Sequence, residues 1–383
     1  MKSRSRSYLD HNASAPLLPA ARDVLTEVLD MTGNPSSVHA EGRALREIVE
    51  QGREAVARAA GMRAERVVFT GSATEALTQA IAGAAAIGRI DRIVVSAGEH
   101  QAALRAAEAA QVPFESVPLL ASGEIDLGAL RRVIGAHAGE RLLVAVHQVN
   151  NETGVVQSLG EIEAMLAATP HLLVVDAVQG FGRLATDFDA SRADMTAVSG
   201  HKIGGPAGIG ALIVKPGCDD IRLIPGGGQQ QGRRGGTESA ALSAAFGAAA
   251  EAAPRAFDLQ RLATFSAAIE AAILERVPDG VIFGRDAERV GTTVNFAMPG
   301  LQSATALIGF DLAGVSLSAG SACSSGKVAK SHVLKAMRVP DALAECALRV
   351  SVGWSTTHDD VARFTAALET VLAHRPAAAG VAA

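Results

Sequence analysis

Lys202 ends the segment Ser199-Gly200-His201-Lys202 and is followed at once by Gly204-Gly205-Pro206. An amine directly behind an apolar run, in a turn whose glycines let backbone approach a ligand closely, suits a Schiff base with an aldehyde cofactor. Taken alone, the segment reads more readily as a surface lysine at a strand end. Asp176 opens Asp176-Ala177-Val178-Gln179 after the run HLLVV. A carboxylate there must find a partner or solvent. Open α/β sheets bind ligands outside the carboxyl ends of their strands. A carboxylate so placed can keep a pyridine nitrogen protonated, which makes the ring an electron sink. Its other reading is an N-cap for the next helix. Thr70-Gly71-Ser72-Ala73-Thr74-Glu75 lies between an apolar run and a helical pattern. Free N–H groups and the helix dipole make such a junction a phosphate site, or Ser72 is simply an N-cap.

Cys323 sits in Gly320-Ser321-Ala322-Cys323-Ser324-Ser325-Gly326. Structural cysteines are usually buried in apolar surroundings, whereas small polar neighbours suit an exposed, reactive thiol. Cys218 and Cys346 lack that setting and read as core or incidental residues. The Cys323 segment is not a nucleotide phosphate loop, because five residues separate its outer glycines and Val328 stands where Ser or Thr is required. Arg349 interrupts the apolar run ALRVSVG. Its planar fork suits a carboxylate, either that of a substrate or that of an internal ion-pair partner.

These residues need a scaffold. The chain has 383 residues, more than one core usually supports, so two domains are expected. Hydrophobic residues make up 48% and charged residues 20%, the profile of a globular enzyme rather than a disordered chain. A net charge of -5 gives no reason to expect nucleic acid or a membrane surface as partner. Three cysteines without CxxC spacing argue against a disulfide framework or a metal site and fit a reducing cytoplasm. The basic N-terminus has no apolar run behind it, so no signal peptide is expected. No apolar run reaches the roughly 18 residues of a membrane span.

From about Arg66 onward, apolar runs at 66–70, 91–96, 141–148, 171–178, 194–199 and 208–215 read as strands buried on both faces. Helical patterns at 73–86 and from near His100 lie among them. The repetition predicts a mostly parallel sheet covered by helices. One long helical segment with a single proline is expected over 239–276. Segments 291–299, 315–320 and 347–353 then read as strands of a smaller sheet. A last helix starts near Thr357, with Asp360 completing a capping box. The expected division is a large α/β domain over 15–255 and a smaller α+β domain over 1–14 and 256–383.

Together these segments resemble the cysteine desulfurases that feed iron–sulfur cluster assembly, within the class V pyridoxal-phosphate-dependent aminotransferases. The resemblance runs through Tyr8-Leu9-Asp10, Gly33-Asn34-Pro35-Ser36-Ser37, FTGSATEA (69–76), Glu99-His100, Asn150-Asn151-Glu152-Thr153-Gly154 and DAVQ (176–179). It continues through SGHKIGGPAGIG (199–210), GGGQ (226–229), RRGGTES (233–239), SAGSACSS (318–325), HVLKAM (332–337) and LRVSVG (348–353). The sequence departs from the usual pattern in three places. Gly71-Ser72 stands in the order often seen as Ser-Gly, Gln230 follows GGGQ where glutamate is common, and Ser14-Ala15 replaces a Thr-Thr pair.

The resemblance implies a fold-type I transferase that binds pyridoxal 5'-phosphate. Lys202 would carry the cofactor in Schiff-base linkage. Asp176 would pair with the pyridine nitrogen, Gln179 with the ring hydroxyl, and His100 would stack on the ring as a catalytic residue. Ala73, Thr74, Ser199 and His201 would hold the phosphate, and Thr237 would reach the phosphate of a neighbouring subunit, which makes the protein a homodimer. Asn151 would lie beside the ring, Arg349 would clamp the carboxylate of L-cysteine, and Cys323 would be the nucleophile. Sulfur would leave L-cysteine as a Cys323 persulfide, releasing L-alanine, and pass to an iron–sulfur scaffold or other acceptor protein. Another class V activity, selenocysteine lyase or aminotransferase, is the alternative. A catalytically silent binding protein is a third reading, against which Lys202, Asp176 and Cys323 speak.

Overall fold

The computed structural model describes residues 6–319, 330–373 and 375. Its strands, in chain order, are β1 (Ser7–Tyr8), β2 (Val67–Thr70), β3 (Arg92–Ser96), β4 (Phe114–Val117), β5 (Leu142–His147), β6 (Leu172–Asp176) and β7 (Met195–Ser199). They continue with β8 (Gly210–Val214), β9 (Val281–Phe283), β10 (Thr293–Ala297), β11 (Val315–Ser316), β12 (Ser318–Ala319) and β13 (Ala347–Ser351).

Seven strands form one sheet in the order β2-β8-β7-β6-β5-β3-β4. The run from β7 to β4 is parallel throughout, while β8 lies antiparallel to both β2 and β7. Every residue of β5, β7 and β8 is buried, the signature of strands covered on both faces that their uninterrupted apolar runs predict. The edge strand β4 carries the mixed run FESV, so periodicity alone did not reveal it. Helices Pro19–Leu29 and Ala40–Ala59, upstream of the first expected strand, pack against helix Ala240–Ala256. No described helix is long and apolar enough to cross a membrane.

A second, antiparallel sheet has the order β12-β13-β10-β9, and β1 pairs in parallel with β11. The single segment expected over 315–320 is therefore two short strands serving different sheets. The N-terminal residues also join this half of the molecule through a bridge between Asp10 and Ser351.

The long helix expected over 239–276 is two helices, Ala240–Ala256 and Leu259–Arg276. The break falls at Phe257-Asp258 rather than at Pro254, which is accommodated inside the first helix. Asp258 starts the second helix by accepting from the Arg261 N–H at 3.1 Å, and such a cap competes with continued helix. The last helix, His358–Leu372, has the expected capping box between Thr357 and Asp360.

Candidate active site

The carboxyl ends of β5, β6 and β7 and the start of helix Ala73–Ala86 converge on one cavity of about 380 Å³. This is where an open parallel sheet presents its loops to a ligand, and the size suits a small molecule.

On one wall, Ser72, Ala73 and Thr74 begin the helix after β2. Ser72 Oγ caps that helix by accepting from the Glu75 N–H at 3.2 Å. The capping reading and the anion-cradle reading are therefore compatible, because the other first-turn N–H groups remain available to a phosphate. Gly210 on β8 backs this wall: a Cβ there would lie 2.8 Å from Ala73 N. Only glycine lets the two backbones approach so closely. Ser199 and His201 line the adjoining wall, and His201 Nδ1 lies 3.3 Å from Ser14 Oγ. Burial, helped by Lys202, lowers the His201 pKa to about 4, so the ring is neutral.

Lys202 is placed by a short helical turn directly after β7. Its Nζ donates to Asn12 O at 2.6 Å and Ala13 O at 2.8 Å. Behind it Gly204 has φ +82°, and a Cβ there would meet Leu18 Cγ at 2.6 Å. The glycines after the lysine thus let the turn pack on the N-terminal segment. The lysine is half-buried and lines the cavity, which removes the reading of an ordinary surface charge.

Asp176 is buried at the end of β6, and Oδ1 accepts from the Val178 N–H at 2.9 Å. The residues that follow form turns, so Asp176 caps no helix. Burial, reinforced by the nearby Glu99 charge, raises its pKa to about 6. Such a group favours sharing a proton with a ligand nitrogen. His100 caps helix Gln101–Ala109, with Nδ1 accepting from the Ala102 N–H at 3.1 Å. Burial first and Lys202 second lower its pKa to about 4, leaving a neutral flat ring on the cavity wall.

Gln179 is fixed from two sides. Its Nε2 donates to Asn12 O at 3.1 Å, and its Oε1 accepts from Arg183 Nη1 at 2.7 Å. Asn151 and Arg349 complete the lining. Arg349 Nη1 donates to Asn151 O at 3.1 Å, and Nη2 pairs with Asp10 Oδ1 at 2.8 Å. The internal ion-pair reading of Arg349 is thus met, and its place on the cavity wall leaves the substrate-carboxylate reading open to it. It has an internal carboxylate partner, it still faces the cavity, and its Nε is buried without a hydrogen-bond partner among the described residues.

Of the sequence-derived site residues, Thr237 lies elsewhere. It is exposed just ahead of helix Ala240–Ala256 and does not line the cavity of its own chain. Cys323 lies outside the described residues. Cys218 and Cys346 are both buried, and burial pushes the Cys218 thiol up to about 12.

Three contributors escaped residue-by-residue reading. Asn12 is a hub: its carbonyl receives Lys202 and Gln179, its Oδ1 receives Arg183, and its Nδ2 donates to Asn151 O and Thr293 Oγ1. Arg183 is buried and orients Gln179. His147, register partner of Asp176 on the neighbouring strand, lines the cavity floor. Only a basic residue four positions after Gln179 and a histidine ending an apolar run marked the last two in sequence.

The residues present suit a phosphorylated pyridine aldehyde. A helix N-terminus offers N–H groups for phosphate, an amine for the aldehyde, a buried acid of raised pKa for the ring nitrogen and a neutral imidazole for the ring face.

The profile of the family Aminotransferase class-V matches residues 7–364. A cysteine desulfurase IscS of Dictyoglomus turgidum is 31% identical over 373 residues, covering 95% of this chain and 94% of that protein. An IscS-like cysteine desulfurase of Mycobacterium tuberculosis is 33% identical over 379 residues, covering 95% of each. Among solved structures, a NifS-like protein from Rickettsia africae superposes with a TM-score of 0.88 at 29% identity, covering 96% of this chain and 99% of that one. The fold is accordingly the expected fold-type I α/β architecture. With the profile spanning nearly the whole chain and relatives above 30% identity matched end to end, this chain belongs to the class-V aminotransferase family, among its cysteine desulfurases.

Proposed function

We propose that the protein uses pyridoxal 5'-phosphate to take sulfur from L-cysteine, giving L-alanine and a persulfide on Cys323. The observation that carries the reading is the convergence of Lys202, Asp176 and Arg349 on one buried cavity in a chain of this family. When bound, the cofactor supplies an electron sink for the bonds at the substrate Cα.

The chain's own residues supply the rest. Ala73, Thr74, Ser199 and His201 bind the phosphate. Asp176 keeps a proton at the ring nitrogen, Gln179 bonds the ring hydroxyl, and His100 covers the ring face. Arg349 takes the substrate carboxylate, with Asn151 beside it holding its Nη1. The amine of Lys202, once displaced by the substrate, moves the proton at Cα as general base and acid. Cys323 acts as thiolate on the substrate sulfur. The S–S bond forms as the C–S bond breaks, and the thiol proton ends on the alanine product, so atoms and electrons balance without an external oxidant.

The persulfide is then delivered to an acceptor, an iron–sulfur scaffold or another sulfur-carrying protein. A homodimer in which Thr237 serves the partner's phosphate fits its exposure next to the glycine-rich segment 226–236. The division into units 15–255 and 1–14 with 256–383 fits the two sheets and the joining of β1 to β11. A reducing compartment, the cytoplasm, suits an enzyme that depends on a thiolate. Incubation with L-cysteine, followed by assays of alanine and of enzyme-bound sulfur by intact mass, tests the reading. Absence of both products from protein that carries cofactor would overturn it.

A further inference from the structure

Behind Asp176 lies a polar cluster for which the proposed chemistry has no role so far. Its members are fully buried, and burying polar groups is costly unless their arrangement is specific. Glu99, at 0% exposure in the loop after β3, accepts on Oε1 from the His147 backbone N–H at 2.6 Å and from His147 Nδ1 at 2.5 Å. Its other oxygen, Oε2, is buried with no hydrogen-bond partner among the described residues. His147 ends β5 and stands in register with Asp176 on β6. In a parallel pair, residues in register place their side chains on the same face of the sheet.

The protonation of His147 follows from what meets its far nitrogen. Nε2 lies 3.2 Å from Gln157 Nε2 and 3.4 Å from Asn150 Nδ2. Neither amide can be turned over. Gln157 Oε1 accepts from the Ile125 N–H at 2.7 Å, while its Nε2 donates to Gly123 O at 3.1 Å. Asn150 Oδ1 accepts from the N–H groups of Glu152 and Thr153 at 2.9 and 3.0 Å, while its Nδ2 donates to Gly98 O at 3.1 Å. Reversing either amide would set N–H against N–H and oxygen against oxygen. Two N–H groups therefore point at His147 Nε2, which must accept. Burial opposes a second proton on the imidazole and the Glu99 charge and hydrogen bond favour one, with a net pull upward, but a proton on Nε2 would face those two fixed donors, and the geometry decides. The ring stays neutral, with its one proton on Nδ1 directed at Glu99. Among the described residues, the titratable groups coupled to the pair are Asp176 from β6, itself facing Lys202 from the turn after β7, and His332 from helix His332–Ala336, whose Nε2 lies 2.7 Å from Glu99 O.

We infer that Glu99 and His147 are a positioning pair for Asp176. His147, locked as the neutral Nδ1–H tautomer, orients the Glu99 carboxylate without cancelling its charge, and that charge strengthens the hold of Asp176 on the proton it shares with the ring nitrogen of the cofactor. The inference rests on the pyridoxal-phosphate reading above. It adds a second buried carboxylate, one layer behind the first, as a determinant of ring protonation. The sign follows from electrostatics: a nearby anion favours retention of a proton by the Asp176–ring pair.

The test has two arms. In cofactor-free protein labelled with 15N-histidine, His147 is assigned by the signal lost in His147→Met. It should show one protonated and one unprotonated nitrogen, unchanged from about pH 6 to about pH 8.5. Two protonated nitrogens, or a titration in that range, would overturn the tautomer and with it the proposal. In the second arm, the pH titration of the bound cofactor's visible band is compared between wild type and Glu99→Gln. The midpoint should fall by about one pH unit or more, the direction expected when an anion that favours protonation of Asp176 is removed, with roughly tenfold weaker cofactor binding. A folded Glu99→Gln that binds cofactor with an unmoved midpoint refutes the pair's role. Wild-type protein that binds no cofactor refutes the functional reading instead, and the first arm, which needs neither cofactor nor variant stability beyond assignment, still decides the tautomer.

Discussion

Arg183 Nη1 donates to Gln179 Oε1 at 2.7 Å and, together with the Gln179 Nε2 bond to Asn12 O, sets which way the Gln179 amide faces. With its oxygen held by Arg183, the amide can present only N–H to the cavity. That suits the deprotonated ring hydroxyl of the proposed cofactor. Arg183 also holds Asn12 Oδ1 and the Lys202 carbonyl, so it ties three site elements together from outside the cavity. Burial lowers its own pKa to about 10, still far above neutrality, so it remains charged.

Arg183→Leu should therefore weaken cofactor binding as well as stability. Removing a buried, multiply bonded guanidinium costs on the order of 3 kcal/mol. Thermal scans with and without cofactor should show a lower midpoint for the variant in both states and a smaller stabilisation by the cofactor. An unchanged cofactor-induced shift would limit Arg183 to a structural role.

Lys202→Ala should lose the visible absorption of bound cofactor, and turnover should fall by roughly a thousandfold or more, the scale of positioned acid–base catalysis plus loss of the covalent link. Lys202 is half-buried on the cavity wall rather than part of the hydrophobic core, so the fold should persist. Circular dichroism checks the fold and an alanine assay the turnover. Alanine production at the wild-type rate would remove Lys202 from the mechanism.

Arg349→Lys keeps the charge and loses the planar fork. KM for L-cysteine should rise about tenfold or more, with a smaller change in kcat, since an ammonium meets a carboxylate as a point charge. Steady-state kinetics separates the two. A change confined to kcat would place Arg349 away from the substrate carboxylate.

Cys323→Ser should bind cofactor and L-cysteine but accumulate no persulfide. After a pulse of L-cysteine without reductant, intact-mass and peptide analysis should find the added sulfur on Cys323 in the wild type and nowhere in the variant. Cys218 is a poor substitute, since it is buried and its thiol is pushed up to about 12, where almost no thiolate exists at neutral pH. Sulfur on Cys218 or Cys346 would reassign the nucleophile.

Glu152 gives a pH-dependent stability. It is buried, receives the Ser331 hydroxyl, and burial raises its pKa from 4.5 to about 7 against the opposing pull of Ser331 and Arg349. Below the unfolded value both states hold the proton and no penalty exists. Between about pH 4.5 and 7 the unfolded chain releases it and the folded one does not, so stability falls as pH rises and then levels off. The penalty is roughly 2–4 kcal/mol at pH 8. Glu152→Gln should flatten this part of the profile and raise the thermal midpoint at pH 8 relative to pH 5. A profile identical to wild type would show that Glu152 is not the titrating group.

Much of the architecture was legible because it rests on local pattern. Uninterrupted apolar runs mark strands covered on both faces, and β5, β6, β7 and β8 fall where those runs stand. Ser72 and Thr357 begin helices because their side chains satisfy N–H groups only a few residues away. Residue type and setting at positions 72–74, 176, 202 and 349 suggested sites for a phosphate, a ring nitrogen, an aldehyde and a carboxylate, the family resemblance added positions 100, 151, 179, 199 and 201, and the fold lines all of them around one cavity.

Other features arise only when distant segments meet. Nothing local in FESV announces β4, which exists because β3 offers it an edge. The antiparallel insertion of β8 between β2 and β7 depends on which edges remain open once the parallel strands are paired. Arg349 reads in sequence as either a substrate clamp or an ion-pair partner. Its pairing with Asp10, 339 positions away, shows that it meets an internal carboxylate at the edge of the cavity. Sequence presents His147 as one more residue at the end of an apolar run. Its tautomer is set by two amides, each anchored by backbone groups that only the folded chain brings together. Side-chain type and spacing determined which chemistry this protein can attempt, because they depend on near neighbours. The charge state and direction of each group were decided by burial and by partners from other strands, which exist only in the tertiary structure.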